Sequence, residues 1–221
     1  TGATGVQLIT EIAKEVGHLT VFQRTANYCA PLRNGPIDPE TQRQIKASYP
    51  EIFKKCSESA GSFMHQFDPR SAMDVSPDER LEQYERLWAE PGFKKWLANF
   101  YDIMTPGAAN EDYAAFVRQK IRERVKDPVV AEKLVPKDHM FGSKRLPCES
   151  GYYEVYNQDN VLLVDVREAP IERITPTGIK TRDAEYDLDV IIFATGYDAV
   201  TGALTRIEIQ GEGGQTLKDK F

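Results

Sequence analysis

The chain has 221 residues, a formal net charge of −6 and an isoelectric point near 5.3, values that leave no large basic face for a nucleic acid. With 41% hydrophobic and 28% charged residues it has the composition of a globular domain. Mean hydropathy is −0.49, and no apolar run approaches the roughly 20 residues of a membrane span. Cys29, Cys56 and Cys148 lie far apart, and with His18, His65 and His139 they form no metal-ligand spacing. Reduced thiols, a cytoplasmic setting and no metal are therefore expected.

The chain opens TGATG (1–5), and Val6, Ile9, Ile12, Ala13 and Val16 follow at helical spacing, with Gly17 where a C-cap glycine would stand. LTVFQ (19–23) then reads as a buried parallel strand, so the opening is half of a βαβ unit. Gly2 and Gly5 suit the second and third glycines of a G-x-G-x-x-G loop, where the backbone approaches a pyrophosphate at a helix N-terminus. The same two glycines also suit an ordinary turn before a helix. The end of the next strand separates these readings. An NAD site places a carboxylate about 20 residues past the loop to hold the ribose hydroxyls. Here the strand ends in Gln23-Arg24-Thr25, with Arg24 nineteen positions after Gly5. A guanidinium at that place favours the 2′-phosphate of NADP, although a solvated strand-end arginine has the same spacing.

From Pro36 the pattern turns helical. One helix is expected from Pro39 to near Ser59, with Ile45, Tyr49, Ile52, Phe53 and Cys56 on its apolar stripe. SPDE (76–79) is a capping box with Pro77 at the first helical position, and Leu81, Tyr84, Leu87 and Trp88 make the apolar face behind it. Phe93, Trp96, Leu97 and Phe100 mark a further helix. Another is expected with Asn110 as its cap and Tyr113, Phe116, Val117, Ile121 and Val125 facing inward, before a short one from Pro128 to Leu134. Strand signals return at 161–166, 171–175, 178–181 and 188–194. The middle pair reads as a hairpin with Gly178 at its turn. VIIFA (190–194) is apolar throughout and leads into Thr195-Gly196, as a central strand meeting a ligand-facing loop would. Residues 203–221 read as an edge strand and a glycine turn. Lys144 and Arg145, taken alone, read as solvated surface.

Taken in order, TGATGVQ (1–7), VFQRTANY (21–28), FGSKRLPCESGYYEVYNQDNV (141–161), PIERITPTGI (170–179) and IIFATGYDAVTGAL (191–204) resemble Baeyer–Villiger monooxygenases of the cyclohexanone and phenylacetone type. The resemblance implies an α/β fold: a Rossmann-like NADP-binding domain interrupted by an all-helical insertion. Its expected parts are 1–37 and 135–202 for the NADP-binding domain, 38–134 for the insertion, and 203–221 returning toward an FAD domain. The FAD domain and the strand before Thr1 lie outside this chain, so the piece alone is expected to be inactive and to work with the FAD domain of the same polypeptide.

The chemistry implied is oxygen insertion into a ketone by FAD, NADPH and O2 through a C4a-peroxyflavin, giving an ester or lactone. By the same resemblance Gly2, Ala3, Thr4, Gly5, Gln7, Thr195 and Gly196 would hold the dinucleotide, with Arg24, Thr25 and Lys144 around its 2′-phosphate. Arg145 would be the catalytic arginine, a fixed positive charge that stabilises an anionic oxygen. No nucleic acid or membrane is expected as a partner. Two other readings remain: an N-hydroxylating or sulfur-oxidising flavin monooxygenase, and a non-catalytic NADP-binding module.

Overall fold

Residues 2–59, 61–198 and 201–220 are described in the structure, a computed structural model, and they divide into two units between Asp189 and Val190. The first unit begins with α1 (Ala3–Ile12), whose Val6 and Ile9 are buried, and β1 (Leu19–Gln23). The helix stops at Ile12, and Gly17 has no left-handed φ. The carbonyls of Ala13 and Val16 are satisfied instead by the amide of Asn160, at 3.4 and 3.1 Å. A side chain from far along the chain thus does what a glycine cap was expected to do.

After β2 (Ala30–Pro31), the single helix expected from Pro39 is two, α2 (Pro39–Ala47) and α3 (Tyr49–Glu58). Pro50 has no N–H to donate, and its ring crowds the preceding turn, so the ladder breaks at Ser48. Asp38 caps α2 by accepting from the N–H groups of Glu40 and Thr41 at 3.0 and 2.9 Å. Neither helix has a buried residue, and Ile45, Tyr49 and Phe53 of the expected inward stripe are exposed.

α4 (Pro77–Ala89) starts where the capping signal places it: Ser76 Oγ accepts from Glu79 N–H at 3.2 Å. The Glu79 carboxylate turns to Arg70 at 2.6 Å, so only half the box closes. Tyr84, Leu87 and Trp88 are buried, whereas Leu81 faces solvent. α5 (Lys94–Leu97) buries Trp96, and α6 (Ala108–Arg124) buries Tyr113, Val117 and Ile121. Asn110 is not the cap of α6; Gly107 is. The Asn110 amide, inside the first turn, donates to the carbonyls of Ile103 and Phe141 at 2.6 and 2.9 Å. α7 (Pro128–Leu134) is capped by Asp127.

The second half of this unit supplies β3 (Cys148–Glu149), α8 (Tyr152–Val155) and β4 (Val161–Asp165). β1 and β4 pair in parallel, Leu19 opposite Val161 through Gln23 opposite Asp165, and β2 pairs in parallel with β3. One core joins Val6 and Ile9 of α1, Val21 and Leu163 of the strand pair, and the aromatics Tyr28, Tyr113, Phe141 and Tyr153. Beneath it lies an ionic staple. Arg124 donates to both oxygens of the fully buried Glu149 at 2.7 and 3.0 Å and to Glu154 at 2.6 and 2.7 Å.

β5 (Ile171–Thr175), β6 (Gly178–Thr181) and β7 (Glu185–Asp187) form an antiparallel sheet. Gly178 is required by closeness: a Cβ there would stand 1.8 Å from the Tyr186 carbonyl oxygen. In the second unit the strand expected through VIIFA is absent; 190–198 makes no ladder with any described residue, and Val190, Ile192 and Phe193 are exposed. An apolar run becomes a strand only where a neighbour completes its hydrogen bonds. α9 (Thr201–Thr205), a single bridge between Gln210 and Thr216, left-handed Gly213 and Gly214, and α10 (Leu217–Lys220) stand in place of the expected edge strand.

Candidate dinucleotide site

α1 starts with no side chain capping it and no acidic residue in its first turn. Its first N–H groups and positive dipole end therefore remain open to an anion. Gly2 is extended, and a Cβ built on it meets nothing within 4 Å, so the approach is clear. Ala3, Thr4 and Gln7 are exposed on the same two turns, while Gly5 is buried under the helix.

At the carboxyl ends of β1 and β4 the chain leaves a cleft of about 560 Å³. Arg24, Thr25 and Ala26 line it from β1, Asp165, Arg167 and Glu168 from β4, and Lys133, Lys137 and Asp138 from α7 and the segment after it. Most of its cations are engaged: Lys133 with Glu168 at 2.8 Å, Lys137 with Glu132 at 2.9 Å, Arg167 with Asp138 at 2.7 Å. Arg167 also donates to Thr25 Oγ1 at 3.0 Å. Among the described residues, Arg24 is the lining cation with no ion pair. An exposed, uncommitted guanidinium beside a threonine hydroxyl is equipped to take a phosphate dianion.

Lys144 and Arg145 sit on a loop pinned at both ends. Phe141 is buried and its carbonyl accepts from Asn110, while the Pro147 carbonyl accepts from Ala30 N–H at 3.0 Å. Gly142 turns the chain with φ +82, a conformation that favours glycine, and Met104 Cε lies 2.7 Å from where a Cβ would stand. Both cations are exposed and have no ion pair among the described residues. The positive charge of Lys144 nevertheless reaches the cleft. The Asp138 carboxyl is held well below the usual carboxylate range by its hydrogen bond to His139, then by Arg167, with the Lys144 charge adding to both.

The structure thus brings Arg24, Thr25 and, through its field, Lys144 to one cleft. Thr195 and Gly196 lie in the second unit, where Gly196 has φ +88. Four residues of this region carried no sequence signal of their own: Asn27, Asp138, His139 and Arg167. The nearest hint was their place beside residues that did, Asn27 three positions after Arg24.

No protein-family model matches the chain. It is 53% identical over its whole length to 2-oxo-Δ3-4,5,5-trimethylcyclopentenylacetyl-CoA monooxygenase of Pseudomonas putida, of which it covers 41%. It is 44% identical over its whole length to a Baeyer–Villiger monooxygenase of Pseudooceanicola batsensis, again covering 41%. A crystal structure of OTEMO in complex with FAD and NADP superposes on the whole chain with a TM-score of 0.96 at 53% identity, the chain covering 41% of it. The chain therefore spans about two fifths of the length of the relatives it matches.

Proposed function

We propose that this chain, a homologue along its full length of flavin-dependent Baeyer–Villiger monooxygenases, is the NADPH-binding part of such an enzyme. The intact protein would convert ketones to esters or lactones in the cytoplasm. Residues 1–37 and 135–202 are read as a Rossmann-like NADP-binding domain, 38–134 as its helical insertion, and 203–221 as a return toward the FAD domain. The observation that carries the reading is Arg24, uncommitted beside Thr25 at the carboxyl end of β1, in a chain with 53% identity to OTEMO.

The balance is ketone, O2, NADPH and a proton giving ester, water and NADP⁺. Bound flavin supplies the electron transfer from NADPH and the reaction with O2. The residues of this chain hold and orient. Gly2, Ala3, Thr4, Gly5 and Gln7 at the start of α1 would hold the pyrophosphate by N–H groups and helix dipole; Thr195 and Gly196 are assigned to cofactor binding by the resemblance alone. Arg24, Thr25 and Lys144 would hold the 2′-phosphate, and the exposed Arg145 would place a permanent positive charge where an anionic oxygen develops.

The test is NADPH consumption by the intact, FAD-loaded protein with cyclic and aryl ketones. Ester or lactone formed in step with NADPH supports the reading. Consumption that yields only hydrogen peroxide with every ketone, or turnover confined to amines or sulfides, overturns it.

A further inference from the structure

The loop that carries Arg145 is tied to the Arg24–Thr25 end of β1 by side chains whose hydrogen-bonding roles can be assigned without ambiguity. Asn27 is buried, and its Nδ2 lies 3.2 Å from the carbonyl oxygen of Arg145. A backbone carbonyl only accepts, so the amide nitrogen must face it. The Asn27 Oδ1 then faces Nε2 of His139 at 3.2 Å, and an amide oxygen also only accepts, so Nε2 must carry a hydrogen. On the other side, His139 Nδ1 is 2.7 Å from Asp138 Oδ1. The other oxygen of that carboxylate accepts from Arg167 at 2.7 Å. The series thus runs from the Arg145 carbonyl through the Asn27 amide and the His139 ring to Asp138.

The other groups around the ring agree with this. Tyr28 lies edge-on at 5.3 Å and donates its hydroxyl to the His139 carbonyl at 3.4 Å. The Arg118 guanidinium of α6 stands over the far side of Tyr28, with Glu111 as its partner. Arg167 pairs with Asp138, and the Lys144 charge also acts on that carboxyl. Asp138 is thus the carboxylate that touches the ring. The His139 side chain is 8% exposed, so water does not substitute for these partners.

We propose that Asn27 and His139 are positioning residues for Arg145: His139, through Nε2, holds the Asn27 amide in the one orientation that fixes the Arg145 backbone. The relay continues from His139 through Asp138 and Arg167 to Thr25, so the arginine loop and the phosphate end of the cleft are set together. This deepens the function proposed above and rests on its assignment of Arg145.

The experiment uses the intact FAD-loaded protein with Asn27→Leu, His139→Phe and His139→Gln. Ester formed per NADPH consumed should fall about three- to tenfold in Asn27→Leu and His139→Phe, with hydrogen peroxide making up the difference. At saturating NADPH the single-turnover rate of flavin reduction should be retained, any effect on the phosphate end appearing only in the NADPH concentration needed. His139→Gln, which keeps one donor toward Asn27, should recover part of the coupling.

Equal losses in flavin reduction and coupling, or no change in coupling, overturn the proposal. A second readout does not depend on turnover. In the ¹⁵N-histidine spectrum, the signal that His139→Phe removes should show a hydrogen on Nε2, and Asn27→Leu should alter it. A ring with no hydrogen on Nε2 ends the relay. An unaltered enzyme that oxygenates no ketone refutes the functional reading instead, and the spectrum still decides the relay.

Discussion

Arg24 is exposed and uncommitted in a cleft where neighbouring cations already have carboxylate partners. Removing it should therefore cost ligand binding and little else. In the intact enzyme Arg24→Ala should raise KM for NADPH about ten- to a hundredfold, the ~1.5–3 kcal/mol of a charged hydrogen bond, and leave KM for NADH nearly unchanged. Equal changes for both cofactors would remove Arg24 from the 2′-phosphate. Asp138 makes a different prediction. Its folded-state pKa lies below the usual carboxylate value, so the stability it contributes is fully present above about pH 4 and is lost as pH falls through the lower folded value. Asp138→Asn should accordingly lose less stability than the unaltered chain between about pH 5 and pH 2 in acid unfolding. Identical acid limbs would show that the carboxylate gains nothing from Arg167 and His139.

At the scale of elements, two contacts decide whether strands stay in place. Gly178→Ala puts a methyl group into the Tyr186 carbonyl, so β7 must move away from β6. A destabilisation of about 1–3 kcal/mol in urea is expected, as for an overpacked core, with loss of amide protection confined to β6 and β7. Arg124→Leu leaves the fully buried Glu149 carboxylate without its counter-charge, held by the N–H groups of Gly151 and Tyr152, and the expected cost is about 3–5 kcal/mol. A cost below about 1 kcal/mol would place the pair with ordinary surface ion pairs. The same scale shows what a reader of residues alone can recover. α4 and α7 were legible because Ser76-Pro77 and Asp127-Pro128 act within one turn. The burial of α2 and α3 was not, since an amphipathic stripe cannot report whether anything packs against it. β7 has three residues, too few for alternation to register. Asn27 and His139 are 112 positions apart, and only the folded chain makes them neighbours.

For the whole molecule, the cleft is lined from distant stretches: the end of β1, α7 with the segment after it, and the end of β4. That is why Arg24 and its spacing from Gly5 could be read from the sequence, whereas the charge balance of the cleft could not. Asn110 has a mechanical consequence at this scale. Its single amide clamps α6 to Phe141, and Met104 fills the space beneath Gly142. The long helix and the Lys144–Arg145 loop are therefore one stiff body: neither can loosen without unseating the other. Hydrogen exchange should register this as a shared opening event, with α6 and 141–147 gaining deuterium at one rate while the exposed α2 and α3 exchange earlier. If a substrate-driven movement shifts the helical segment, the arginine loop must travel with it.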